Sequence, residues 1–139
     1  MISKVYISSA KLMLQERDII SIVKAAQIKN QSMGITGILL FNSGNFMQLI
    51  EGAEANVAEL YEKIKNDNRH TDVTQLLEEE ISHRNFDNWF MGYKDLATLN
   101  RVDQDILSPF LNEEPNFSIY KNNSYRALEF LEMFKKIQS

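Results

Sequence analysis

Residues 35–50 read ITGILLFNSGNFMQLI, and this stretch sets the architecture of the chain. Residues 35–41 and 46–50 are rich in apolar and β-branched side chains, which favours two strands. Between them lies Asn42-Ser43-Gly44-Asn45, which is typical of a hairpin turn because Asn and Gly tolerate the backbone angles that such turns need. The stretch therefore predicts a β-hairpin.

Toward the N-terminus, the sequence predicts one strand and one helix. Residues 2–9 are β-branched and aromatic with partial alternation, which indicates a strand. Asp18 can cap a helix that begins at Ile19 and ends near Asn30, before Gly34. The apolar residues of this helix recur with the spacing of one helical face, at Ile19, Ile22, Val23 and Ala26.

C-terminal to the hairpin, the sequence predicts a second helix and two further strands. Asn56 and Glu59 have the spacing of a capping box. The apolar face of the helix comprises Val57, Leu60, Tyr61 and Ile64, and strands are expected near 72–81 and 88–95. The order β-α-β-β-α-β-β, with both helices on one face of the sheet, predicts an α+β fold of ferredoxin-like type. The first β-α-β unit should have parallel strands.

The remainder of the chain has a different pattern. We therefore expect a main domain at 1–96 and a helical extension at 97–139. A short helix is predicted around 102–111, broken at Pro115, and Ser124 can cap a last helix. The apolar face of that helix contains Ala127, Phe130, Leu131, Phe134 and Ile137. This face should pack on the uncovered side of the sheet or on another subunit.

Composition excludes several classes of function. The chain has 139 residues with a formal net charge of −4, which disfavours general binding to nucleic acid. It has no cysteine and only two histidines, His70 and His83, so disulfides, thiolate catalysis, Cys-ligated zinc and a His-rich metal site are not expected. No apolar run approaches the length of a membrane span, and no signal peptide is evident, so we expect a cytoplasmic protein.

Gln48 departs from an ordinary core pattern. Strand alternation places it on the same face as Phe46 and Ile50, where a buried amide without partners costs about 1–3 kcal/mol. One interpretation is a structural amide bonded to a neighbour. Another follows from the two helices, because a groove between them would be walled by Ile22 and Ile64 and floored by Tyr6 and Gln48.

Polar residues would stand at the two ends of that groove. Asn30 lies at one end, and Arg69 and His70 lie at the other. An apolar slot with a few convergent polar groups is the usual form of a small-molecule site, and a flat heteroaromatic ligand with amide-like edges would suit Asn30 and Gln48. Each residue also has an ordinary interpretation: Asn30 as a helix C-terminal residue, and Trp89 and Met91 as packing residues on one face of the last strand.

Six linked motifs resemble those of the BLUF family of flavin-binding blue-light sensors, with matching order and spacing over residues 3–95. They are Tyr6-x-Ser8, Asn30, Gly34-Ile35-Thr36-Gly37, Phe46-x-Gln48-x-x-Glu51-Gly52, Asp67-x-Arg69-His70 and Phe86-x-x-Trp89-x-Met91. The helical tail is similar to that of short BLUF proteins without a second domain.

The resemblance implies a flavin, FAD with FMN or riboflavin as alternatives, bound between the two helices. It implies a photoswitch made of Tyr6 and Gln48, with Trp89 and Met91 carrying the change to the rest of the protein. In the family mechanism, the excited flavin draws an electron and a proton from the tyrosine, and the glutamine relays the proton and is left rearranged. The implied flavin contacts are Tyr6, Ile22, Lys29, Asn30, Phe46, Gln48, Lys63, Ile64, Asp67, Arg69 and His70, with Lys29 placed to approach a phosphate.

Three functions follow as hypotheses. The first is a photosensory module without enzymatic activity, which signals by a light-dependent contact with a downstream protein. The second is a light-independent flavin-dependent oxidoreductase, and the third is a binding or scaffold protein that has lost flavin. We expect no membrane partner and no direct nucleic-acid partner. If Phe130, Leu131 and Phe134 are not all used on the sheet, they predict a homo-oligomer or partner surface.

Overall fold

A computed structural model describes residues 1–11, 14–111 and 117–138. Within these residues the chain forms a five-stranded sheet and four α-helices. The strands are β1 (Ile2–Ala10), β2 (Thr36–Asn42), β3 (Asn45–Gly52), β4 (His70–Glu80) and β5 (Gly92–Asp95), and the helices are α1 (Glu16–Met33), α2 (Glu54–Lys65), α3 (Arg101–Leu107) and α4 (Ser124–Gln138). The predicted α+β architecture is confirmed.

The strand order in the sheet is β4-β1-β3-β2-β5. The central strand β3 is antiparallel to both β1 and β2, so β1 and β2 run parallel to each other, as predicted. β4 pairs with β1 in antiparallel orientation, and β5 pairs with β2 in parallel orientation. The strand that carries Gln48 therefore lies in the middle of the sheet.

The predicted hairpin is confirmed. Asn42 pairs with Asn45, which leaves Ser43 and Gly44 as the two residues of the turn. Both have positive φ, 48° and 86°, as in the type I′ turn that matches the natural twist of a hairpin. Because this turn fixes the register, Leu39 stands opposite Gln48 on β3.

Alternation along the strands creates two faces, each with its own apolar cluster. Val5, Met47 and Leu49 belong to the cluster that includes α4, and we call this side of the sheet the tail face. Tyr6 and Phe46 belong to the cluster that includes residues of α1 and α2, and we call this side the helix-pair face. Neighbouring residues of one strand thus serve different layers.

α4 closes the tail face. Its buried side chains Ala127, Phe130, Leu131 and Phe134 pack on the chain's own sheet. The rings of Phe110 and Phe130 stack with centroids 5.5 Å apart. The apolar residues that could have marked a partner surface are therefore largely used within the chain.

The predicted starts of the first two helices are wrong by a few residues, whereas α4 begins at Ser124 as expected. α1 begins at Glu16, and Asp18 is the third residue of the helix rather than its N-cap. From there its carboxylate accepts a hydrogen bond from the Gln15 backbone N–H, as in a capping box. α2 begins at Glu54, and Asn56 donates its side-chain amide to the Met33 carbonyl at 2.9 Å. In both cases, the polar residue acts from inside the first turn.

The last strand and the tail also differ from expectation. β5 spans only Gly92–Asp95, since its pairing with β2 covers four positions, and residues 81–91 form an irregular connection. The predicted helix at 102–111 is α3 followed by a short 3₁₀ turn at Ser108–Phe110. The predicted break at Pro115 lies outside the described residues.

Candidate functional site

A cavity of about 370 Å³ opens between α1 and α2 on the helix-pair face. Its size falls in the usual range for small-molecule pockets. The structure brings nearly all of the sequence-predicted site residues to its lining: Tyr6, Ile22, Lys29, Asn30, Phe46, Gln48, Lys63, Ile64, Asp67, Arg69, His70 and Met91. Trp89 is the one predicted residue that does not line it.

The floor of the cavity contains three side chains that two polar contacts join into a chain. Tyr6 and Gln48 are register partners on β1 and β3, so their side chains project side by side. The Tyr6 hydroxyl donates to Gln48 Oε1, and Gln48 Nε2 donates to Met91 Sδ at 3.1 Å. All three side chains are buried. The Gln48 amide therefore has the partners that its burial requires.

Burial raises the pKa of the Tyr6 phenol far above its ordinary value, and the nearby Tyr61 and Asp67 add to this effect. The apolar surroundings disfavour the phenolate because it would be poorly solvated. Tyr6 therefore stays neutral throughout the physiological pH range. It can release its proton only when another change, such as loss of an electron, makes the phenol acidic.

Asn30 holds one end of the cavity. It lies in the last turn of α1, and its buried side-chain amide donates to the Phe90 carbonyl at 3.0 Å. One turn earlier, Gln27 Nε2 donates to the Met91 carbonyl at 2.9 Å. α1 thus binds the backbone of the segment whose Met91 side chain contacts Gln48.

The other end of the cavity is built from α2 and the start of β4. His70 Nε2 lies 2.5 Å from the Ile64 carbonyl, which can only accept, so this nitrogen carries the proton. His70 Nδ1 lies 2.9 Å from Ser8 Oγ. Arg69 pairs with Asp67, and the hydrogen bond from its guanidinium lowers the pKa of the Asp67 carboxyl. These contacts fix the imidazole against the sheet.

Two lysines face each other across the mouth of the cavity, Lys29 from α1 and Lys63 from α2. The Lys63 ammonium lies close enough to lower the pKa of Lys29. Glu59 lies 3.4 Å from Lys63 and offsets part of this positive charge. An anion placed between the two lysines would stabilise them further.

Trp89 lies on the tail face, so the prediction that it shares a strand face with Met91 is wrong. Its ring packs against Phe86, with centroids 5.8 Å apart, and against the cluster of the tail face. The backbone is irregular here because the Trp89 carbonyl accepts from the Gly37 N–H, before the ladder of β5 begins. Trp89 and Met91 therefore point to opposite sides of the sheet.

Glu51 has a structural role that its place in a sequence motif does not indicate. Its side chain is fully buried on β3. The carboxylate accepts from the backbone N–H groups of Asn85 at 2.9 Å and Phe86 at 2.6 Å, and from Thr36 Oγ1 at 3.0 Å. A carboxylate directly after the predicted strand 46–50 was the available signal, because a carboxylate that is buried there must find donors. Glu51 anchors residues 85–86, from which the chain continues to Trp89 and Met91.

The lining fits a flat, partly polar ligand. The walls are apolar, the floor offers a Gln amide and a phenol, and the mouth is cationic. Within residues 1–11, 14–111 and 117–138, no cluster of side chains has the composition of a metal site. In the same described ranges, no helix has the length and apolar character needed to cross a bilayer.

Comparison with known proteins identifies the family of this fold and cavity. Residues 1–92 match the family described as BLUF, sensors of blue-light using FAD. The subunit alpha of photoactivated adenylate cyclase from Euglena gracilis is 40% identical over 84 residues, which cover 60% of this chain and 8% of that protein. The blue light- and temperature-regulated antirepressor BluF of Escherichia coli is 34% identical over 112 residues, 81% of this chain and 27% of that protein. The chain thus spans less than a third of the length of these two relatives.

Solved structures of similar size also match. The dark-state structure of BlrB, a BLUF protein, aligns with a TM-score of 0.70 and 31% identity, covering 91% of this chain and 96% of BlrB. The ground state of BlsA aligns with a TM-score of 0.78 and 25% identity, covering 94% of this chain and 87% of BlsA. The fold, the cavity between the helices and the match over residues 1–92 agree, and this chain belongs to the BLUF family.

Proposed function

We propose that this chain is a blue-light photoreceptor that binds flavin between α1 and α2 and signals through contact with another protein. The observation that carries the proposal is the chain of contacts from Tyr6 to Gln48 to Met91 on the cavity floor. Such a chain joins an oxidisable phenol to a group that can rearrange its hydrogen bonds. No side chain of the cavity needs to act as a catalytic base for this role.

The cavity residues would hold the flavin in the following way. Asn30 and Gln48 would bond the polar edge of the ring system, and Ile22 and Ile64 would cover its faces. Lys29 and Lys63 would attract the phosphate of FMN or FAD at the mouth, since both ammonium groups lie there. The other proposed contacts are Tyr6, Phe46, Asp67, Arg69 and His70.

The bound flavin would supply the absorption of blue light and a strong one-electron oxidant. Tyr6 is the donor of the electron, and its phenolic proton leaves through the hydrogen bond to Gln48 Oε1. Loss of the electron makes the phenol acidic and overcomes the high pKa that burial gives it. After the proton and electron return, Gln48 is left rotated or tautomerised, because an amide can both donate and accept.

The rearranged Gln48 loses its contact with Met91 Sδ. The segment 84–91, which is the second part of the irregular connection 81–91, then keeps its bonds to Glu51 through Asn85 and Phe86 but loses this contact on the helix-pair face. Trp89 and Phe86 of this segment pack in the cluster of α4, so we infer that the signal leaves through the tail face. A local change of this kind acts globally only by biasing a two-state element, and we propose the segment 84–91 as that element because it joins the two faces of the sheet.

The proposed organisation is a flavin-binding unit at 1–96 with a helical extension at 97–139. The relatives that share a similar region differ in the function of the whole protein. One is a subunit of a photoactivated adenylate cyclase, and another is an antirepressor. We propose that the output of this chain is a light-dependent contact with a downstream signalling protein, with a second copy of the chain as a further contact.

The test is a comparison of two tyrosine variants reconstituted with FAD, FMN and riboflavin. Tyr6→Phe should bind flavin but lose the light-induced red shift of the flavin band, because it removes the proton donor. Tyr93→Phe is the matched control, since its hydroxyl is buried without a hydrogen-bond partner in the described ranges, and it should keep the shift. A normal shift in Tyr6→Phe contradicts the proposal, and light-independent oxidation of NAD(P)H would support the oxidoreductase alternative.

A further inference from the structure

A second tyrosine, Tyr61 of α2, lies in contact with the tyrosine of the cavity floor. The ring centroids of Tyr6 and Tyr61 are 5.8 Å apart, with an angle of 56° between their planes. Tyr61 is buried but does not line the cavity. An electron passes readily between two phenol rings at contact distance. Tyr61 could therefore give an electron to a radical formed on Tyr6. This transfer would move the radical to Tyr61, away from Gln48.

Two ammonium groups flank the ring of Tyr61. Lys4 Nζ lies 4.2 Å from the ring centroid, and Lys65 Nζ lies 5.4 Å from it. A cation over the face of an aromatic ring is attracted by the π-electrons. Removal of an electron leaves the ring positively charged and turns this attraction into repulsion. Both lysines therefore oppose the oxidation of Tyr61.

Lys4 should have the larger effect. Its side chain is 9% exposed, whereas that of its partner Glu78 is 45% exposed, so water screens the carboxylate more than the ammonium. The two groups are 3.0 Å apart. Lys65 is more exposed, at 43%, and pairs with Glu62 at 2.7 Å. The positive field at the Tyr61 ring therefore comes mainly from Lys4.

The two tyrosines also differ in whether a hydrogen-bond acceptor is in place to receive the phenolic proton. The Tyr6 hydroxyl has Gln48 Oε1 as its acceptor. In the part of the chain that the structure describes, the Tyr61 hydroxyl has no such acceptor. Its proton would have to leave to water, so the oxidation of Tyr6 is favoured over that of Tyr61 on two counts.

We propose that Lys4, assisted by Lys65, keeps the light-generated radical on Tyr6 by making Tyr61 a poor electron donor. In the step that is opposed, Tyr61 gives one electron to the Tyr6 radical and is oxidised. Tyr6 is reduced and regains its proton through Gln48, and the Tyr61 proton goes to water. This role rests on the proposed function, because the bound flavin is the oxidant that forms the radical.

The test begins with Lys4→Met, which removes the charge and keeps a long unbranched side chain. In the flavin-loaded protein, we expect the quantum yield of the red shift to fall at least about twofold, because Tyr61 becomes easier to oxidise. Electron paramagnetic resonance after a light flash should show a long-lived tyrosyl radical. Lys4→Arg keeps the charge and should retain the wild-type yield without that radical.

The double variant Lys4→Met/Tyr61→Phe separates this role from a structural one. It should regain the wild-type yield and lose the long-lived radical, and Tyr61→Phe alone should behave like the wild type. An unchanged yield without a long-lived radical in Lys4→Met overturns the inference, as does a loss of yield that Tyr61→Phe does not restore. Absence of any red shift in the wild type refutes the proposed function, and with it this role.

Discussion

The two faces of the sheet differ in how completely they are filled, although the same strands build both. On the tail face, Met47 and Leu49 are fully buried beneath Phe130 and its neighbours. On the helix-pair face, Gln48 between them borders a cavity of about 370 Å³. The difference shows that one strand can carry the stabilising core and the functional site on alternate residues. A change on one face should therefore leave the properties of the other largely intact.

The segment 84–91 connects the two faces. Glu51 anchors it at Asn85 and Phe86, and from there the chain places Trp89 on the tail face and Met91 on the helix-pair face. This is the part of the molecule where a change at Gln48 can reach α4. The following variants test the separation of the faces and then their connection.

The largest expected effect is the complete loss of the light response in Gln48→Leu. Leucine can neither accept the Tyr6 proton nor rearrange a hydrogen bond, but it fills a similar volume, so the flavin should still bind. The measurement is the difference between lit and dark absorption spectra. Met47→Leu is the matched control on the other face and should keep the response. A normal difference spectrum in Gln48→Leu would remove the glutamine from the mechanism.

The next effect is on stability. Phe130→Ala should lower the free energy of unfolding by about 3–5 kcal/mol, because it leaves a cavity beneath α4 where the wild-type ring is fully buried. The variant that stays folded should still bind flavin and show the red shift. Denaturant unfolding followed by circular dichroism measures the loss. A loss of stability below about 1 kcal/mol would mean that α4 does not close the tail face as described.

A smaller effect is expected on flavin affinity. Asn30→Ala removes a buried amide that lines the cavity and should weaken flavin binding about fivefold to tenfold, because the hydrogen bond that Asn30 is proposed to make with the flavin contributes about 1–1.5 kcal/mol. Gln27→Ala is the comparison, because Gln27 bonds the Met91 carbonyl but does not line the cavity. Titration with flavin distinguishes them, and equal affinities in the two variants would contradict a binding role for Asn30.

The smallest effect on the flavin spectrum is expected from Trp89→Ala and Met91→Ala. These two variants test most directly whether the segment 84–91 carries the signal between the two faces. Both should keep most of the red shift, because Tyr6 and Gln48 remain. Both should reduce the light-dependent difference in hydrogen exchange of the α4 amides, because each removes one end of the connecting segment. An undiminished difference in both variants would show that the signal leaves by another route.

Much of this structure could be predicted from local patterns. The Asn42–Asn45 turn fixed the register of the hairpin, and alternation placed Gln48 beside Phe46 on one face. The spacing of Ile19 and Val23 on α1 and of Val57 and Tyr61 on α2 predicted which helix faces are buried. Because these patterns depend on regular backbone, they extended to the groove between the helices and to most of its lining.

The rest depended on contacts between distant residues. Strand alternation predicts that Trp89 and Met91 share one face. The backbone before β5 is irregular, however, and the Trp89 carbonyl accepts a hydrogen bond from the Gly37 N–H. The sequence predicts that Asn56 caps a helix, but its side-chain amide donates a hydrogen bond to the Met33 carbonyl instead. In each case, a partner far along the chain overrides the local preference, and sequence spacing carries no signal for that partner.

The most direct test of the account is the dark-minus-lit absorption spectrum of the purified wild-type protein under blue light. The hydrogen-bond change at Gln48 predicts a small red shift of the flavin band that appears on illumination and decays in the dark. A flavin band that bleaches, or that does not change, would contradict a photoswitch built on Tyr6 and Gln48.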